Sequence, residues 1–256
     1  MQFEQMISDV LAELPALPTL FLAISVVFLG GVLRGFIGFG GALIIIPVLA
    51  GIFTPSEAVA MHLIMEVPGT LQLLPIAWRQ SDKRAVTPTL VAIVIGTPLG
   101  AYLLATLDPQ PMRIGISLMV LAIVVLLSCE WRYPGNIGRG IMVGAGIVGG
   151  IAQGATGMGS PPMVVVVMSR ADNTDTTRGN VLAVATGLIA VAVPMQWAYG
   201  LFTVKALFLG LSFGPLYVLS TYLGSRFYTK SGNRIYRTSV LVLLAAVAIY
   251  TLITNV

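Results

Sequence analysis

The 256-residue chain is 57% hydrophobic and only 9% charged, with a mean hydropathy of +0.93 and a formal net charge of +4. A soluble domain carries roughly a quarter charged residues, so this chain cannot clothe itself in a water-compatible surface. Its single cysteine, Cys129, excludes an internal disulfide and any cysteine-based metal site. The basic residues sit in short loops, which reads as membrane topology rather than nucleic-acid binding.

In chain order, the first residues hold no Lys or Arg, so the basic n-region of a cleavable signal peptide is missing. Residues 1–16 are expected to form an extracytoplasmic segment. Hydrophobic segments follow, and they predict spans at 17–35, 39–53, 57–78, 86–107 and 112–129. A cytoplasmic loop is expected at 130–137, then spans at 138–154, 158–169, 176–198, 202–225 and 235–254. Most runs reach the roughly 18–20 apolar residues that cross a hydrocarbon core of about 30 Å. They lack the alternation of a barrel strand, and backbone in lipid must be bonded within the segment. The expected fold is all-α, a polytopic transmembrane bundle.

The chain repeats itself. At an offset of 119, Gly30–Gly40 falls on Gly149–Gly159 with five glycines coincident, and Pro75 falls on Pro194. At an offset of 124, Leu99-Gly100 falls on Leu223-Gly224 and Arg113 on Arg237. The expected units are residues 17–129 and 138–256. Five segments per unit place the two units antiparallel in the membrane. With the amino terminus outside, eleven Lys and Arg face the cytoplasm, against only Arg113 and Lys205 outside. That excess is the one cytoplasmic loops carry.

Two corresponding segments are too short to span: the first opens with Gly38-Phe39-Gly40-Gly41, the second with Thr156-Gly157-Met158-Gly159-Ser160-Pro161-Pro162. Paired interrupted segments in matching places are the best sequence pointer to a transporter's binding site. Each is expected to present a helix amino terminus, with unpaired N–H groups and partial positive charge, to one mid-membrane region. Such a region suits an anion. Arg34 adds a forked donor set, its repeat partner Gln153 adds neutral hydrogen bonds, and Thr156 and Ser160 add hydroxyls. Asn180 is a further polar candidate. Other glycine pairs, Gly31/Gly35, Gly96/Gly100, Gly146/Gly150, Gly150/Gly154 and Gly210/Gly214, have the spacing of close helix packing.

Ionisable groups within apolar runs are costly and functional by default; here they are Arg34, His62 and Glu66. His62 and Glu66 stand four apart on one helix face, placed to relay a proton because histidine changes charge near neutral pH. The alternatives are that the two satisfy each other, or that Glu66 pairs with Arg34. One histidine and one carboxylate make a poor metal site, and no nucleophile–base set accompanies them. No cofactor and no enzyme activity are expected.

The run from Arg34 to Pro47, with its degenerate copy at Gln153–Pro162, resembles the glycine-rich signature of the sulfite exporter TauE/SafE family, also called toluene sulfonate uptake permeases. The resemblance covers roughly residues 20–254. It implies a cytoplasmic-membrane permease for sulfite, sulfonates or related sulfur- or carboxylate-bearing anions. Ser160-Pro161-Pro162 departs from the family pattern, as does Gly40-Gly41-Ala42 where many members have three glycines. The expected function is secondary transport of such an anion, with protons as the candidate coupling ion. A passive channel or a non-transporting membrane receptor is the alternative. Candidate partners are the anion, membrane lipid, protons and, as a homodimer, a second copy of the chain.

Overall fold

The computed structural model describes residues 14–37, 40–129, 137–170, 173–226 and 234–255. Gly38 and Phe39, residues 1–13 of the expected amino-terminal segment and 130–136 of the expected inter-unit loop lie outside the described residues. Among the described residues all regular structure is helical: α1 (Leu17–Ile37), α2 (Gly41–Ile52), α3 (Pro55–Gln80), α4 (Lys83–Thr106), α5 (Pro109–Ser128), α6 (Arg139–Thr156), α7 (Ser160–Met168), α8 (Thr174–Ala198), α9 (Val204–Arg226) and α10 (Arg234–Asn255). Each predicted span agrees with its helix to within three residues at either end.

Local chemistry sets the ends. Thr54 and Glu57 form a reciprocal capping box at the start of α3: the Glu57 N–H donates to Thr54 Oγ1 at 3.2 Å and the Thr54 N–H to Glu57 Oε2 at 3.0 Å. Pro55 takes the first helical position, where its missing N–H costs nothing. Asp82 caps α4 by accepting the Arg84 N–H at 3.0 Å, and Asn173 caps α8 by accepting the Thr176 N–H at 2.8 Å.

Six of the described helices, α1, α3, α4, α5, α8 and α9, are long and apolar enough to cross a membrane. Their outer faces carry exposed Phe21, Leu71, Trp78, Ile95, Leu211 and Val218, a covering that suits hydrocarbon and not water. The protein is a multi-pass membrane protein. The two short helices behave differently: α2 has 12 residues and α7 only 9. At 1.5 Å per residue they rise about 18 and 14 Å, near half of a hydrocarbon core of about 30 Å.

The helices pair across the chain. α1 packs on α9, α4 on α6, α3 on α8 and α5 on α10. The pairs close up where side chains vanish. A Cβ on Gly35 would stand 2.0 Å from the Thr221 carbonyl oxygen, and one on Gly224 2.2 Å from that of Val32. Across α4 and α6 the same distances are 2.1 Å for Gly100 to Ile151 and 2.2 Å for Gly154 to Thr97. Gly31, Gly96, Gly146 and Gly150 would bring a Cβ to 1.9, 2.3, 2.7 and 3.0 Å from a facing helix, so four of the five glycine pairs are packing. The fifth differs: Gly210 meets Ile64 on α3, but Gly214 has nothing within 4 Å.

Candidate anion site at the paired helix breaks

The first break follows α1. Gly40 adopts φ +101°, open to glycine with little strain, and α2 starts one residue later. α2 folds back along α1, so that a Cβ on Gly30 would strike Ile45 and one on Gly41 would lie 2.9 Å from the Gly30 carbonyl oxygen. Gly41 is also hemmed in by Tyr217 Oη and Arg34 Cβ, at 3.1 and 3.3 Å from that Cβ position. The start of α2 therefore stands beside a polar cluster assembled from three other helices.

Glu66 is its centre. The Arg34 Nη1 of α1 donates to Glu66 Oε1 in an ion pair. Tyr217 Oη of α9 donates to the same oxygen at 3.1 Å, and His62 Nε2 lies 3.3 Å from it. The His62 and Tyr217 rings meet edge to face, with centroids 5.9 Å apart. Buried charge is tolerated only when paired and hydrogen-bonded, and all three neighbours serve that end. His62 Nδ1, buried, has no hydrogen-bond partner. Pro68 lies two residues beyond Glu66 and cannot donate to the Ile64 carbonyl, so α3 carries a missing rung beside the cluster.

The second break follows α6. Gly157 ends that helix at φ +68°, its N–H donating to the Gln153 carbonyl at 2.9 Å. α7 folds back on α6: a Cβ on Gly149 would strike Met163, and one on Gly159 would stand 2.3 Å from the Gly149 carbonyl oxygen and 2.7 Å from Gln153 Cβ. These contacts repeat those of the first break. Gly30, Arg34, Gly41 and Ile45 correspond to Gly149, Gln153, Gly159 and Met163. The register slips by one residue across the break, from 119 to 118, so Gly159 matches Gly41 and not Gly40 as the sequence offset suggests.

The two helix starts are not chemically equal. Pro161 and Pro162 have no N–H, which removes two of the donors that the first turn of α7 would otherwise offer. The Gly159 N–H is taken by Gln153 Oε1 at 2.9 Å. Thr156 Oγ1 donates to its own helix at Ala152, 2.8 Å away. What is left over is Gln153 Nε2: the side chain is 1% exposed and this donor has no partner. Because Oε1 is fixed on Gly159, the orientation of the whole amide is fixed with it. Buried amide N–H groups are almost always bonded; Gln196 Nε2 on α8 is the other buried amide donor without a partner among the described residues.

The breaks pass side by side rather than tip to tip. A Cβ on Gly157 would touch Ile46, five residues into α2, at 2.7 Å and Val59 on α3 at 3.4 Å. Val59 precedes His62 by less than a helical turn. Met158 is fully buried in the same core as Leu43, Ile46, Met61 and Tyr217.

The structure thus brings Arg34, Gly40, Gly41, His62 and Glu66 together, and gathers Gln153, Thr156, Gly157, Met158, Gly159 and Ser160 at the neighbouring break. Asn180 stands elsewhere. Its Oδ1 accepts the Asp82 N–H at 2.8 Å in the turn between α3 and α4, about 20 Å along α3 from Glu66 at the usual rise. Tyr217 went unanticipated, because a lone uncharged tyrosine in an apolar run gives no cost signal of the kind that singles out Glu66.

An all-helical bundle of membrane-spanning helices, with buried charge beside paired backbone breaks, defines a polytopic membrane protein of the permease type. The chain belongs to the sulfite exporter TauE/SafE family, whose sequence model matches residues 23–251 and so takes in both breaks. Comparison with curated proteins and with solved structures gives no match.

Proposed function

We propose that the protein is a secondary transporter that carries a small oxyanion, such as sulfite, an organosulfonate or a related carboxylate-bearing anion, across the cytoplasmic membrane. The anion sits at the adjoining breaks, with Arg34 and the α2 backbone at Gly41 as donors from the first and Gln153 and Ser160 from the second. One observation carries the reading: Gln153 Nε2, a buried donor with no partner, is held at a helix start by its own carbonyl. An acceptor oxygen placed there gains a hydrogen bond that the free protein lacks. The packing repeated at the two breaks supports an inverted duplication. Transport then proceeds by rocking of one unit against the other about the shared site. Gradient energy drives it, with the amino terminus outside.

Counterflow of labelled sulfite in proteoliposomes tests this. A carrier gives transient accumulation that saturates with sulfite, and a passive channel gives none. Arg34→Ala and Gln153→Ala should each lower the saturable rate at least about tenfold, the loss expected for a buried donor to a charged acceptor, while both proteins remain inserted. Undiminished counterflow in either variant removes that residue from the site.

A further inference from the structure

Glu66 stands where a bound anion would stand. Its Oε1 takes the Arg34 guanidinium, the Tyr217 hydroxyl and the edge of His62, beside the first backbone N–H groups of α2. These groups form the environment a small oxyanion needs, and a carboxylate meets a guanidinium with the same forked geometry. Two anions cannot share one buried arginine, because like charges a few ångströms apart in a poorly solvated site cannot both stay ionised. Arg34 retains some access, with 17% of its side chain exposed, whereas Glu66 has 7%.

We propose that Glu66 is an internal competitor for the transported anion, and that the anion displaces it from Arg34 only as the Glu66 carboxylate takes up a proton. This rests on the anion reading above and supplies its coupling: one proton from the aqueous side binds Glu66 as the anion binds Arg34, and returns to water when the anion leaves. The carboxylate then reclaims the arginine and keeps the empty site neutral. Tyr217 and His62 set how readily the exchange occurs, since each stabilises the charged form of Glu66. The other titratable groups on the helices packed against α3 lie or are engaged away from it: α2 carries none, Lys205 of α9 pairs with Glu57 at 3.5 Å, Arg226 of α9 lies over Tyr222, Lys83 and Arg84 sit at the start of α4, Asp175 and Arg178 at the start of α8, and Arg113 of α5 is bonded to Ala50 and Phe53.

The test is calorimetric binding of sulfite to the purified full chain, in buffers of different ionisation heat, alongside sulfite counterflow in vesicles of equal internal and external pH. The wild type should take up about one proton more per sulfite than Glu66→Gln. Protonation of sulfite itself is common to both proteins and cancels in the difference. Glu66→Gln should also bind sulfite about tenfold more tightly at alkaline pH, with the Glu66-dependent part of its pH profile gone. Tyr217→Phe keeps the charge and guards against misfolding of the first variant; its binding midpoint should move to higher pH. Equal affinity and equal proton uptake in wild type and Glu66→Gln overturn the competitor role, and continuing counterflow shows that the transport reading survives. Loss of sulfite binding in a folded Glu66→Gln, or an unmoved midpoint in Tyr217→Phe, overturns it too. A wild type that neither binds nor exchanges sulfite brings down the transport reading, and this inference with it.

Discussion

Arg113 holds the far end of α2. Its Nε donates to the Ala50 carbonyl at 2.7 Å and its Nη2 to that of Phe53 at 3.2 Å, so a cation meets the negative end of a short helix and fills carbonyls left without helical partners. A 12-residue helix that ends inside the protein depends on such an anchor. Arg113→Met should therefore lower stability by about 1.5–3 kcal/mol, the range for hydrogen bonds from a charged donor, seen as a fall in the thermal midpoint in detergent. Arg113→Lys should recover part of it, since one ammonium cannot span both carbonyls. A Met variant that melts with the wild type would show the cap to be idle. The sequence assigned Arg113 only to an outer loop, because nothing in linear order links it to carbonyls about 60 residues earlier. Arg34 and Glu66 were legible as buried charges, and their pairing as one of the open alternatives, because charge in an apolar run has few ways to be satisfied. Gln153 was legible as the repeat partner of Arg34, but its carbonyl holding Gly159 was not. That bond exists only because the chain turns back at Gly157.

The elements themselves were the most readable part of the chain, since a membrane helix needs length and apolarity and both are countable. Even the short α2 and α7 announced themselves, through glycines at matching positions and prolines (Pro47; Pro161 and Pro162) within each short segment. The register slip between them did not, because glycine at both 40 and 41 lets either align with Gly159. Contacts decide it: Gly41 and Gly159 are the residues that press on the first helix of each hairpin. Glycine spacing also left unsaid which helices meet. In the structure α4 and α6 come together backbone to backbone, and their glycines fall into two kinds. Gly154 would drive a Cβ to 2.2 Å from a carbonyl oxygen, whereas Gly144 on the same helix has nothing within 4 Å. Gly154→Ala must push the helices apart, at a cost of about 1–3 kcal/mol or more. Gly144→Ala should be neutral, or stabilise by up to about 1 kcal/mol through helix propensity. Thermal melts and monodisperse yield of the two variants would compare them directly. Equal behaviour would mean that the close approach of α4 to α6 does not hold the fold.

At the scale of the molecule, the helix pairs form a pattern that exchange of the two halves leaves unchanged. The first helix of each half lies on the fourth of the other (α1 on α9, α6 on α4), third lies on third (α3 on α8) and fifth on fifth (α5 on α10). A two-fold relation between the halves generates this pattern; five segments per half would lay its axis in the membrane plane, which leaves two orientations to be told apart. If the amino terminus is outside, α5 runs inward and ends at Cys129, which is exposed and is the chain's single cysteine. The unmodified protein is then its own reporter. A membrane-impermeant maleimide should label Cys129 in inverted vesicles and leave it unlabelled in intact cells. In a Cys129→Ser background, Asp108→Cys, at the opposite end of α5, should show the reverse. The basic residues lead to the same expectation for a separate reason, since the predicted topology assigns eleven of them to the side of Cys129 and two to the other. Labelling of Cys129 from outside intact cells would invert the whole bundle.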